Sequence, residues 1–139
     1  RNKNKSGYMN GISSIFSYEF SNNLFTSVEY SFNKFVAQIE SEDYTQRILN
    51  ISLIKNFPND YTFSLNFNQL KKNFYKASFP WPLRRDIGNT ITLNLSKLFS
   101  QCHNISLGIS KSNFNSTVGL YEKKNTSTSA DYAYICIGD

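Results

Sequence analysis

Asn89-Thr90-Ile91-Thr92-Leu93-Asn94-Leu95-Ser96-Lys97 is the stretch whose reading decides the fold. Ile91, Leu93 and Leu95 alternate with Thr92, Asn94 and Ser96. A period of two places the aliphatic residues on one side of an extended strand and the small polar residues on the other. The same pattern returns in Asn104-Ile105-Ser106-Leu107-Gly108-Ile109-Ser110-Lys111, and a closing segment runs from Asn125 to Tyr134. A sheet with one apolar and one small, uncharged face fits either a soluble sheet wetted on one side or a transmembrane barrel with lipid outside and water inside.

Working outward, four more alternating segments precede this one. Gly7 to Phe20 carries Tyr8, Ile12, Phe16, Tyr18 and Phe20 on one side, interrupted by Asn10 and Ser14, with Gly11, Ser13, Ser17 and Glu19 opposite. Ser21-Asn22-Asn23 is a turn, because Asn tolerates the positive φ that hairpins require. Leu24 to Phe32 sets Leu24, Thr26, Val28, Tyr30 and Phe32 against Phe25, Ser27, Glu29 and Ser31. Tyr44 to Phe57 sets Leu49, Ile51, Leu53 and Phe57 against Gln46, Asn50, Ser52 and Asn56, with Ile48 and Ile54 breaking the polar side. After Pro58-Asn59-Asp60, Tyr61, Phe63, Leu65 and Phe67 alternate with Thr62, Ser64, Asn66 and Asn68.

The connections between these segments go short, long, short, long, short, long. The long ones are Asn33–Asp43, Leu70–Arg85 and Ser112–Lys124. Outer-membrane barrels have this rhythm, with short periplasmic turns and long extracellular loops. The fold class expected is therefore all-β: an antiparallel up-and-down transmembrane β-barrel, as a fragment of about seven strands. Residues 1–139 form one domain, the C-terminal part of a single outer-membrane barrel. The alternatives are a soluble antiparallel sheet that binds a ligand and, within the membrane class, a porin-like diffusion channel.

Composition limits what else the chain can be. Twelve Phe, nine Tyr and one Trp among 139 residues, with a net charge of +5, leave no run of about 18 apolar residues for a transmembrane helix. Lys3, Lys5, Lys34, Lys71, Lys72, Arg84, Arg85, Lys123 and Lys124 fall mostly between the alternating segments. That reads as solvated loop charge and not as a nucleic-acid footprint, which would be gathered on one face. Cys102-His103 does not make a nucleophile–base pair, since neighbours on an extended chain point apart. One His and two distant cysteines, Cys102 and Cys136, are poor material for a metal site. Glu40, Glu42 and Asp43 read as a solvated loop. No enzymatic activity, cofactor or metal is expected.

Arg84-Arg85-Asp86 opens a strand pair. After it come Ser110-Lys111-Ser112-Asn113-Phe114-Asn115-Ser116 and Leu120-Tyr121-Glu122-Lys123-Lys124-Asn125. This order resembles the C-terminal β-barrel of the surface lipoprotein assembly modifier family, over about the last 55 residues and elsewhere by strand rhythm. The resemblance implies roughly the second half of a barrel that helps move lipoproteins to the cell surface. It implies a bacterial outer-membrane location, with outer-membrane lipid, a surface lipoprotein cargo and the barrel assembly machinery as partners. The chain departs from the pattern in lacking the family's helical repeats and in ending Ile135-Cys136-Ile137-Gly138-Asp139 without a terminal aromatic. Arg84, Arg85, Asp86, Trp81 and Tyr121 are the candidate contacts at the extracellular mouth, Arg as a partner for an anionic headgroup or a carboxylate and Trp81 as part of an interfacial girdle.

Overall fold

The computed structural model describes residues 7–37, 43–76, 83–100, 103–118 and 122–134. They form one seven-stranded antiparallel sheet in simple chain order. The strands are β1 (Gly7–Ser21), β2 (Leu24–Ala37), β3 (Tyr44–Phe57), β4 (Tyr61–Phe74), β5 (Arg85–Ser100), β6 (His103–Ser116) and β7 (Lys123–Tyr134). Among the described residues there is no helix, so none that could cross a membrane, which says nothing of crossing by strands. The sheet is open: β1 pairs only with β2, and β7 only with β6.

All seven expected strands are present, and β3 has the expected bounds. The others are longer, above all toward the long connections. β2 runs five residues past Phe32, β4 continues to Phe74, β5 begins at Arg85, and β6 continues to Ser116. The parts of Asn33–Asp43, Leu70–Arg85 and Ser112–Lys124 nearest the strands are therefore strand and not loop. Alternation fails there because apolar and charged residues change sides, Phe35, Phe74 and Phe114 falling on the polar face and Lys34 and Lys71 on the apolar one, while backbone pairing goes on. Strands of 12 to 16 residues exceed the usual 5–6 of soluble sheets.

Register is regular over most of the sheet, with irregularities only at Glu19/Ser21 and Leu98/Ser100. The turn after β3 holds Asn59 and Asp60 at φ of 64° and 62°. Asn and Asp tolerate this left-handed region better than other non-glycine residues. At the other end, the β2–β3 connection is tied by the Ala37 amide, which donates to Asp43 Oδ1 at 2.7 Å.

Pairing fixes which side chains share a face. Tyr30, Ile51, Leu65, Leu93, Leu107 and Tyr132 lie on one side, and Glu29, Asn50, Asn66, Thr92, Ser106 and Asp131 on the other. Among the described residues no second layer covers either side. Among the described residues the only buried hydrophobic is Val118. Ile12, Phe16, Leu107 and Tyr132 are 72, 66, 56 and 62 % exposed.

Candidate functional site

Three parts of the sheet bear on function: the apolar face, the polar face, and a cluster where the polar face meets the long connections.

On the apolar face each strand from β2 to β7 carries an apolar triplet. These are Val28-Tyr30-Phe32, Leu49-Ile51-Leu53, Phe63-Leu65-Phe67, Ile91-Leu93-Leu95, Ile105-Leu107-Ile109 and Ala130-Tyr132-Tyr134, each read at alternate positions. The triplets do not line up across the strands. The residues in register with Tyr30 are Leu49, Gln69, Asn89, Asn113 and Lys124. From that row the triplet centres drift by 2, 4, 4, 6 and 8 residues, always toward the short turns. The apolar belt thus runs obliquely across the sheet. A drift of about 1.6 residues per strand, at about 3.4 Å per residue and about 4.8 Å between strands, inclines the strands by about 48° from the belt's normal.

The polar face is lined mostly by Ser, Thr, Asn and Gly. At mid-height an amide chain crosses three strands. Asn50 Nδ2 donates to Glu29 Oε2 at 2.9 Å, and Asn68 Nδ2 donates to Asn50 Oδ1. Thr92 and Ser110 hydroxyls bond at 3.0 Å. Gly108 leaves room for Asn94: a Cβ there would lie 2.5 Å from Asn94 Oδ1 and 2.7 Å from Ser129 Oγ. All four acidic residues within strands, Glu19, Glu29, Asp86 and Asp131, are on this face.

Where the polar face meets the long connections, Phe35, Tyr44 and Phe74 stand side by side on β2, β3 and β4. Their ring centroids are 5.0 and 5.3 Å apart. Arg84 follows them, its guanidinium 4.7 Å from the Phe74 centroid, and Lys72 Nζ lies 4.8 Å from that of Tyr44. Asp86 closes the row. Arg84 Nε donates to Asp86 Oδ1 at 2.9 Å and Nη2 to Oδ2 at 2.7 Å, while the Ser116 hydroxyl donates to Oδ1 at 2.6 Å. Asp86 is 2 % exposed. Both carboxylate oxygens are thereby occupied, as polar atoms in so covered a place require. Phe35, Tyr44, Lys72, Phe74, Arg84, Asp86 and Phe114 line a hollow of about 400 Å³.

The sequence candidates divide accordingly. Arg84 and Asp86 come together, but as partners of each other. Arg85 points to the opposite, apolar face, and its amide donates to Thr117 Oγ1 at 2.9 Å. Trp81, Tyr121, Glu40, Glu42, Cys102 and Cys136 lie outside the described residues. Asp43 caps Ala37, as above. His103 Nδ1 lies 2.6 Å from the Tyr132 hydroxyl, and its ring packs edge-on to Tyr134. Among the described residues no group of three or more His, Cys, Asp or Glu could hold a metal.

Sequence reasoning missed two features. The aromatic row needs register to become visible, since residues 35, 44 and 74 are far apart in the chain. The cations expected in loops are largely in strands and largely on one face. Lys34, Arg47, Lys55, Lys71, Arg85, Lys97, Lys111 and Lys124 all project from the apolar face, where no strand residue is acidic.

No protein-family model, curated protein or solved structure matches this chain.

Proposed function

We propose that the chain is a wall segment of an outer-membrane β-barrel that takes part in translocating or displaying lipoproteins or other proteins at the bacterial cell surface. The observation that carries the membrane part is the oblique apolar belt. A soluble sheet has no reason to shift its apolar patch always in one direction, by steps of 2, 2, 0, 2 and 2 residues from β2 to β7. A closed barrel does, because its strands tilt by about 35–45° from the axis and its lipid belt must stay level. The inclination of about 48° drawn from the register is close to that range. The aliphatic and aromatic side chains exposed on this face then meet lipid, which needs no second protein layer.

The polar face becomes the lumen wall. Ser, Thr, Asn and Gly solvate a passing chain without holding it, since each bond they offer can be exchanged for one with water. Transport of a protein segment is the role favoured by this neutral lining and by the resemblance of the last strands to lipoprotein assembly modifiers. A diffusion channel is the second reading, favoured by the Glu29 carboxylate at mid-lumen beside Asn50.

Detergent distinguishes the membrane reading from a soluble ligand-binding module. The full chain is expected to need detergent or bilayer to give a β circular dichroism signal, and to migrate differently in a gel before and after boiling. A stable monomer in plain buffer would contradict it. Steady single-channel conductance in planar bilayers, lowered by Glu29→Gln, would favour the diffusion channel over protein transport.

A further inference from the structure

The cations of the apolar face are arranged by height. Measured along each strand from the centre of its apolar triplet, Lys34, Arg47 and Lys111 stand four residues away, Lys71 six, and Arg85 and Lys124 eight. All six lie on the side of the long connections. Only Lys55 and Lys97 lie on the short-turn side, each four residues from its centre. The six slope in the same direction as the belt but less steeply, so that they stand four to eight residues above it. At the inclination derived above, four residues correspond to about 9 Å of height and eight to about 18 Å, which brackets the edge of a hydrocarbon core about 30 Å thick.

The two ends also differ in what the cations touch. Lys97 Nζ sits over the rings of Tyr61 and Phe99, 4.5 and 4.8 Å from their centroids. Lys34, Arg47, Lys71, Arg85, Lys111 and Lys124 are all exposed, and none of them is in a described ion pair. Arg47 and Lys34 are 5.9 Å from the Phe32 and Tyr75 centroids. Side chains of this length can keep their stems against an apolar belt while the charged ends reach the polar layer beyond it. The only carboxylates within strands are on the opposite face.

We propose that this rim binds the phosphate groups of anionic lipids in the leaflet on the long-connection side. The inference rests on the membrane reading of the belt and adds a ligand class to it. A row of six cations with no interleaved acid, set just above an aliphatic belt, matches a phosphorylated headgroup whose acyl chains lie against that belt. A nucleic acid would meet the same charges but would also have to cover the Ile, Leu and Phe side chains directly below them.

The test uses the full chain refolded into neutral detergent and diluted into vesicles of phosphatidylcholine, alone or with diphosphorylated lipid A. Flotation is expected to show uptake by both, with a preference of about tenfold or more for the anionic vesicles at low salt. That preference should shrink toward unity at high salt and in the Lys34→Gln, Arg47→Gln, Lys71→Gln, Lys111→Gln quadruple variant. Lys123→Gln, on the polar face, should change it by less than about twofold. If circular dichroism shows the quadruple variant unfolded, Lys34→Gln and Lys111→Gln alone give the reading, each with a smaller loss. Equal uptake by both vesicles would overturn the rim and leave the membrane reading standing. So would a preference that survives the substitutions, or equally tight, salt-sensitive binding of a DNA oligonucleotide in neutral detergent. No uptake by either vesicle would overturn both proposals.

Discussion

The two faces of this sheet are built on one backbone with one register, yet they follow different rules. The apolar face is specified by position. Its triplets follow a slanting line, most of its cations stand on the long-connection side of that line, and every strand charge on it is positive. The polar face is specified by size and hydrogen bonding. Most of its residues are small, apart from the aromatic row at its upper end; both signs of charge occur, and polar groups pair locally, as in Glu29–Asn50–Asn68 and Arg84–Asp86–Ser116. A face read by depth and a face read by local satisfaction are what a wall between lipid and water requires.

The sharpest way to break this comparison is to move a charge across it. Leu93→Arg puts a cation at the belt centre and is expected to cost about 2–4 kcal/mol of folding stability in bilayers, whereas Thr92→Arg, one residue away on the polar face, should cost well under half of that. Urea titration of the chain folded in vesicles measures both. Equal costs would mean that the faces do not differ in solvent.

A smaller effect tests local satisfaction. Asp86→Ala removes the carboxylate that accepts from Arg84 and the Ser116 hydroxyl and should cost about 2–3 kcal/mol, as loss of charge-assisted bonds at a covered site does. The Arg84 side chain is 28 % exposed, so the loss should fall below that of a fully buried pair. Thermal unfolding in detergent checks this. Asn59→Ala, which forces Ala into the left-handed region at φ 64°, should cost about 1 kcal/mol by the same measurement. Least affected is Tyr132→Phe. It removes the hydroxyl beside His103 at an exposed site, and a change within about 0.5 kcal/mol is expected.

Much of the sheet was legible from the sequence, for a physical reason. Wherever one face is apolar and the other polar, alternation reports the strand directly, so Tyr44–Phe57 and Tyr61–Phe67 could be placed from residue types alone. The strand ends at Lys71-Lys72-Asn73-Phe74 and Ser112-Asn113-Phe114 could not. Above the belt aromatic rings lie on the polar face and lysines on the apolar one, so residue type no longer reports the face, and backbone pairing leaves no trace in composition. The same loss hid the basic rim, since a lysine in such a stretch has no readable face. The slant needs register between strands, which no single segment contains. The burial of Asp86 depends on Arg84 beside it and on Ser116 thirty residues on, so only its neighbour was visible. Arg84-Arg85-Asp86 reads in the sequence as one group, whereas the register divides the three residues between the two faces, with Arg84 against Asp86 and Arg85 opposite.

The central claim is that the belt, and not the register row, lies level in a bilayer. Depth-dependent quenching of single tryptophans by brominated lipids tests it, on a Trp81→Phe background. Tryptophan at Tyr30, Leu65, Leu107 and Tyr132 should be quenched most strongly by bromine at one common acyl depth. Tryptophan at Gln69 and Asn113, which share the register row of Tyr30, should be quenched at shallower depths. Depths that follow the register row, or no lipid quenching at any of these positions, would contradict the account.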